Sequence, residues 1–139
     1  MRIKHPDKEN ALSLLSASEK QMKFTLTMPS TNDSAFTIIR NIYECFQMIG
    51  KAILLSEGKI SEDHIESIQA INSLQVKTKR PIQAIDNLRK IRHGINYYGY
   101  VPKKEEADDA ISFAKEIFKE VLNTARKRIV FWILFKLSY

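Results

Sequence analysis

Residues 88–100, Leu-Arg-Lys-Ile-Arg-His-Gly-Ile-Asn-Tyr-Tyr-Gly-Tyr, bring three cations, a histidine, an asparagine and three tyrosines into thirteen positions. Guanidinium and ammonium groups pair with phosphates, imidazole can move protons, and tyrosine rings can stack on bases. From residue 77 to 104 there are eight Lys/Arg, Asp86 is the one acid, and the segment carries +7. The whole chain carries +6, so the remaining residues are almost neutral. The basicity is local, as binding a phosphate-bearing partner requires.

A helix running through this segment separates two faces. Leu88, Ile91 and Ile95 turn inward, while Arg89, Arg92, His93 and Asn96 follow one another at i, i+3, i+4 and i+7 as one polar stripe. Arg92 lies at the border between the faces, where a guanidinium is partly buried and needs a partner. Two roles stand open for it: bidentate donation to a phosphate, or a salt bridge to an acid such as Glu44 or Asp108. His93 could act as a general acid or base, or be a solvated helix-face histidine with no catalytic partner. Tyr97 could donate a hydrogen bond to a phosphate or a 2′-hydroxyl. A phenol is a poor base near neutrality, so it does not simply replace a histidine. Tyr98 and Tyr100 could stack on bases or pack at a helix end. The acids Glu105, Glu106, Asp108 and Asp109 follow directly and can neutralise part of the cluster.

The pattern Arg92-His93-x-x-x-Tyr97, followed by Tyr98, Gly99 and a new acidic helix, resembles the HEPN family of small all-helical proteins. In that family an Arg is followed by a polar residue and, after four to six intervening positions, by a catalytic His. Arg92 matches the Arg and His93 the polar position. The catalytic His does not match, since Tyr97 and Gly99 stand where it is expected. The resemblance covers most of the chain in helix number and spacing. It implies an all-α, antiparallel up-and-down four-helix bundle with an additional short helix, one domain over residues 1–139, and a homodimer. Active members are metal-independent ribonucleases, often toxins paired with a nucleotidyltransferase-type antitoxin, and others bind nucleotides or dimerise. The missing His places this chain with the second group. The expected site is Arg89, Lys90, Arg92, His93, Asn96 and Tyr97, binding RNA, a nucleotide or a nucleotidyltransferase partner without catalysis. Were the chain active, Arg92, His93 and Tyr97 would carry the reaction. A structural bundle whose basic patch is solvated surface is the remaining alternative.

Other signals point away from chemistry. His5, His64 and His93 show neither helical pairing nor Cys/His spacing, so no metal or other cofactor is expected. Cys45 is alone, which precludes an intrachain disulfide, and it falls in an apolar stripe as a buried filler. There is no Gly-rich phosphate loop, nucleophile elbow or dinucleotide fingerprint. The N-terminus has no apolar run of the signal-peptide type, which makes the cytoplasm the expected compartment.

The elements that position the stripe are legible from periodicity. A chain of 139 residues, 44% hydrophobic and 27% charged, can bury a core unaided, and four Gly and four Pro are too few for a turn-rich β fold. Asp7 is a predicted N-cap for a first helix carrying Ala11, Leu12, Leu15, Met22 and Leu26, stopped by Pro29. Phe36, Ile38, Ile39, Ile42, Tyr43, Phe46, Ile49 and Ile53 form the strongest apolar stripe, so residues 36–56 are predicted to be the central helix, ended by Gly58. Ser61 is predicted to cap a short helix to about Leu74, with Ile65, Ile68 and Ile71 inward. Pro81 opens the helix of the polar stripe, and Gly99 ends it. The last helix has acids at its start and Arg126-Lys127-Arg128 at its end, as the helix dipole favours. Its predicted inner face is Ala107, Ala110, Ile111, Ala114, Ile117, Phe118, Val121, Leu122 and Ala125. Beyond it, the apolar run 129–135 is far shorter than the roughly 20 residues of a membrane span. It is predicted to dock, at least half buried, on the bundle or a second subunit.

Overall fold

The computed structural model describes residues 2–3 and 5–137, with side chains over 5–131. Five α-helices follow one another: α1 (Lys8–Thr25), α2 (Ala35–Ser56), α3 (His64–Asn72), α4 (Ile85–Tyr98) and α5 (Lys104–Leu137). They form the all-α bundle, four long helices and one short. A 3₁₀ turn over Ile82–Ala84 leads into α4. The β structure among the described residues is one antiparallel pair, β1 (Arg2–Ile3) and β2 (Lys59–Ile60).

Local chemistry fixes the ends of these helices. Asp7 caps α1 by accepting from the Asn10 amide at 3.1 Å. Ahead of α2, Ser34 Oγ accepts from the Thr31 amide and Thr31 Oγ1 accepts from the Ser34 amide, each at 2.9 Å. Gly58, at φ 79°, turns the chain out of α2, and Gly99, at φ 66°, does the same for α4. The Tyr100 amide then closes on the Gly94 carbonyl at 3.1 Å.

Helix α2 is the centre of the core and packs against α1, α3, α4 and α5. Phe46 is fully buried between Phe113 and Phe118 of α5, with ring centroids 5.8 and 5.4 Å away. Phe113 is a core residue that the periodicity reading of α5 left out, at the edge of its inner stripe. Gly50 lets α3 approach α2 closely: a Cβ there would stand 2.1 Å from the Ser67 carbonyl oxygen. Any side chain at Gly50 would push the first turn of α3 away.

Three expectations are corrected. Asp63, not Ser61, caps α3, accepting from the Glu66 amide at 2.9 Å, while the Ser61 hydroxyl donates to the Asp63 carbonyl. Ile65 is 50% exposed rather than inward, because α3 turns only Ser67, Ile68, Ala70 and Ile71 to the core. The last helix does not end at Arg126-Lys127-Arg128, since α5 continues through Leu137. Ile129 is buried, but Val130 and Phe131 are 40% and 68% exposed. A continuing helix sends successive side chains in different directions, so only some of an apolar run reaches the core. The side chains at 132–135 lie outside the described residues. Among the described residues no helix is long and apolar enough to cross a membrane.

Phe46→Ala should lower the unfolding free energy in a urea titration by about 3–5 kcal/mol, as for a large-to-small change in a packed core. A near-neutral result would contradict the Phe46–Phe113–Phe118 cluster.

Candidate functional site

The polar stripe of α4 divides into an inner and an outer layer. Arg92 belongs to the inner one. Its Nε donates to Glu44 Oε1 of α2 at 2.9 Å, and its Cζ lies 5.7 Å from the centre of the Tyr43 ring. Of the two acids considered from sequence, Glu44 is the partner; Asp108 instead holds Lys104 at 2.7 Å. The pair engages Nε alone, so the two terminal nitrogens of Arg92 have no partner among the described residues. The guanidinium is oriented by Glu44 and Tyr43, yet keeps donors for a further acceptor.

One turn earlier, Arg89 Nε donates to Asp86 Oδ1 at 2.6 Å, and Lys90 Nζ lies 3.7 Å from Asp86 Oδ2. The hydrogen bond from Arg89 holds the Asp86 carboxyl below its usual range and raises Arg89 in return. Asp86 therefore stays ionised and fixes the base of the stripe.

The outer layer is aromatic. His93 lies against Tyr97 with ring centroids 4.6 Å apart and meets Tyr98 edge-on at 5.7 Å. Tyr97 and Tyr98 are 70% and 79% exposed, and Lys90, His93 and Asn96 are also exposed. This is a three-ring platform standing in solvent beside the inner arginines. Tyr100 is not part of it: its hydroxyl donates to Glu106 Oε1 at 2.6 Å, and its Cβ lies near Gly94. Local neutralisation is partial. Asp109 takes Arg80 and Asp108 takes Lys104, whereas Lys77, Lys79 and Lys103 have no ion-pair partner among the described residues.

Two residues that the sequence reading did not assign to the site, Tyr43 and His64, adjoin the inner layer. The Tyr43 hydroxyl and His64 Nδ1 are 2.7 Å apart, linking α2 to the first residue of α3. Burial lowers the His64 pKa, and nearby Arg92 lowers it further. Burial likewise pushes the Tyr43 phenol far above its ordinary value and the Cys45 thiol up to about 12, so neither ionises near neutrality. The available signal was Tyr43, a polar group inside the apolar stripe of α2, with Glu44 beside it. Such groups need partners, but their spacing does not name them.

The family model described as HEPN domain matches residues 8–126. No curated protein and no solved structure matches the chain.

Because its folded-state pKa is lowered, His64 opposes protonation in the folded protein while the unfolded chain accepts the proton. Its contribution to stability is full above the ordinary imidazole value of ~6.5 and declines as pH falls through it toward the lowered folded value. His64→Gln should flatten the dependence of unfolding free energy on pH between about pH 7 and 5. An unchanged slope would show that His64 titrates normally.

Proposed function

We propose, from the premise that this chain belongs to the HEPN-domain family, that it is a non-hydrolysing member that binds single-stranded RNA on the α4 face. The observation that carries this reading is the juxtaposition of the exposed His93–Tyr97–Tyr98 platform with Arg92, which is held by Glu44 through Nε and keeps its terminal donors. Exposed aromatic rings stack on bases of any identity, and an oriented guanidinium fork donates to a phosphate. Arg89, Lys90 and Asn96 extend the face along the helix. A phenol occupies one of the two positions expected for the family's catalytic His, and a phenol neither deprotonates a 2′-hydroxyl efficiently nor protonates a leaving group as imidazole does. Binding without cleavage follows. Self-association belongs to the same reading, with the exposed Val130–Phe131 end of α5 as its surface.

Affinity for a short single-stranded RNA should fall with rising salt. Neutralisation of about three phosphates gives a log–log slope near −2, at roughly −0.7 per phosphate. Lys90→Ala and Arg89→Ala should each reduce that slope by about one phosphate's share. Arg92→Ala should weaken binding more, because an oriented fork is lost with the charge. Tyr97→Ala should remove about 1–3 kcal/mol of stacking. Salt-insensitive or absent binding overturns the proposal, as does RNA cleavage by the wild type that His93→Ala abolishes. If binding is instead to a nucleotidyltransferase-type protein, that partner and not RNA will perturb the Tyr97 and Tyr98 resonances.

For self-association, Phe131→Asp should shift the sizing profile to a smaller species at micromolar concentration. An identical profile would exclude this end of α5 from the contact.

A further inference from the structure

His64 stands outside the α4 stripe but shares its surroundings. Tyr43 is fully buried, and a buried hydroxyl needs a hydrogen-bond partner. It has one in His64 Nδ1 at 2.7 Å. Buried Tyr43 keeps its proton, and its hydroxyl has no other acceptor among the described residues, so we assign the phenol as donor and Nδ1 as acceptor. The neutral imidazole then carries its own proton on Nε2. The edge bearing Nδ1 is turned to a buried residue, whereas His64 itself is only partly buried. Nε2 is not among the enclosed, unpartnered side-chain atoms of the described residues, so the edge that bears Nε2–H is the one open to solvent.

The groups around this ring come from three helices. Arg89 and Arg92 of α4 and Lys51 of α2 disfavour its protonation, and Glu44 of α2 favours it. Asp63 and Glu66 lie on its own helix, with the Asp63 carboxylate committed to the cap. The Arg92 guanidinium sits over the same Tyr43 ring from whose hydroxyl His64 is held. One patch thus gathers two guanidinium groups and an N–H donor. Each guanidinium is paired with a carboxylate through Nε, Arg92 with Glu44 and Arg89 with Asp86, and their terminal nitrogens keep donors without a hydrogen-bond partner among the described residues.

We infer that His64 is a third donor of the Arg89–Arg92 face, binding a phosphate group through Nε2–H, with Tyr43 as the positioning residue that fixes its tautomer. This rests on the proposed RNA-binding reading and adds a contact from α3 that the α4 motif does not contain. A bound phosphate supplies the negative charge that the neighbouring arginines deny the imidazole. Binding therefore raises the His64 pKa and strengthens as pH falls through it.

The test is an NMR pH titration of the His64 imidazole, free and saturated with hexauridylate, with inorganic phosphate at constant pH as the arm for a free anion. The free protein should show the Nε2–H tautomer. Hexauridylate should raise the His64 pKa, and phosphate alone should shift the same resonances if the site takes any phosphate. His64→Ala should weaken hexauridylate about tenfold, the size of a hydrogen bond to a charged group. His64→Gln, which keeps an N–H donor, should retain most of the affinity and lose its pH dependence between about pH 7 and 5. Tyr43→Phe should release the tautomer and let the His64 pKa rise in the free protein. Circular dichroism reports whether His64→Ala folds; if it does not, the wild-type titration and His64→Gln decide. Hexauridylate that binds through Arg92 but leaves the His64 pKa and tautomer unmoved overturns this inference and leaves the proposed function standing. A wild type that binds no RNA removes both.

Discussion

Helix α2 is enclosed by α1, α3, α4 and α5, and the enclosure leaves few places for its polar groups to go. Its apolar residues are solved by packing, with Phe46 set among the rings of α5. Tyr43 and Glu44 are not. A buried hydroxyl without a partner costs about 1–3 kcal/mol, and the Glu44 carboxylate, which keeps part of its hydration, is still favoured by a cation beside it. The structure satisfies the first with His64 from α3 and the second with Arg92 from α4. The inner layer of the candidate site is the set of partners that the central helix demands.

This origin explains why the site has two layers with different character. The inner layer of Arg92, Glu44, Tyr43 and His64 is held by bonds that cross between helices, so it is preorganised by the core itself. The outer layer of His93, Tyr97 and Tyr98 lies on one helix and depends on nothing beyond α4 and its glycine stop. In the proposed reading, the preorganised donors fix a phosphate and the exposed rings accept bases. An ion pair such as Arg92–Glu44 contributes little net stability, because desolvating both charges offsets their attraction. Its value here is orientation: Nε is committed, and the other guanidinium nitrogens are aimed by the same contact.

The close approach at Gly50 carries this arrangement into the geometry of α3. With no side chain at Gly50, the Ser67 carbonyl comes within reach of the α2 backbone, and the helix N-terminus that bears His64 settles beside Tyr43. A bundle with a bulkier residue there would hold α3 further out and leave Tyr43 without its partner.

The sequence by itself determined the helices, the central position of α2, the stops at Gly58 and Gly99, the localisation of charge in residues 77–104 and the α4 stripe. Each of these is written in periodicity, in glycine's access to positive φ, or in the charge count, and all are local properties. It also left Arg92 with two named acids, and only the packing chose Glu44, 48 residues away. It passed over His64 because the residue that makes it interesting, Tyr43, lies 21 residues earlier on another helix. It overstated burial at Ile65, on a helix that turns only Ser67, Ile68, Ala70 and Ile71 to the core. Periodicity tells which side of a helix is apolar. Which residue of one helix faces which residue of another depends on crossing geometry set at contacts such as Gly50 with Ser67, and that exists only in the folded chain.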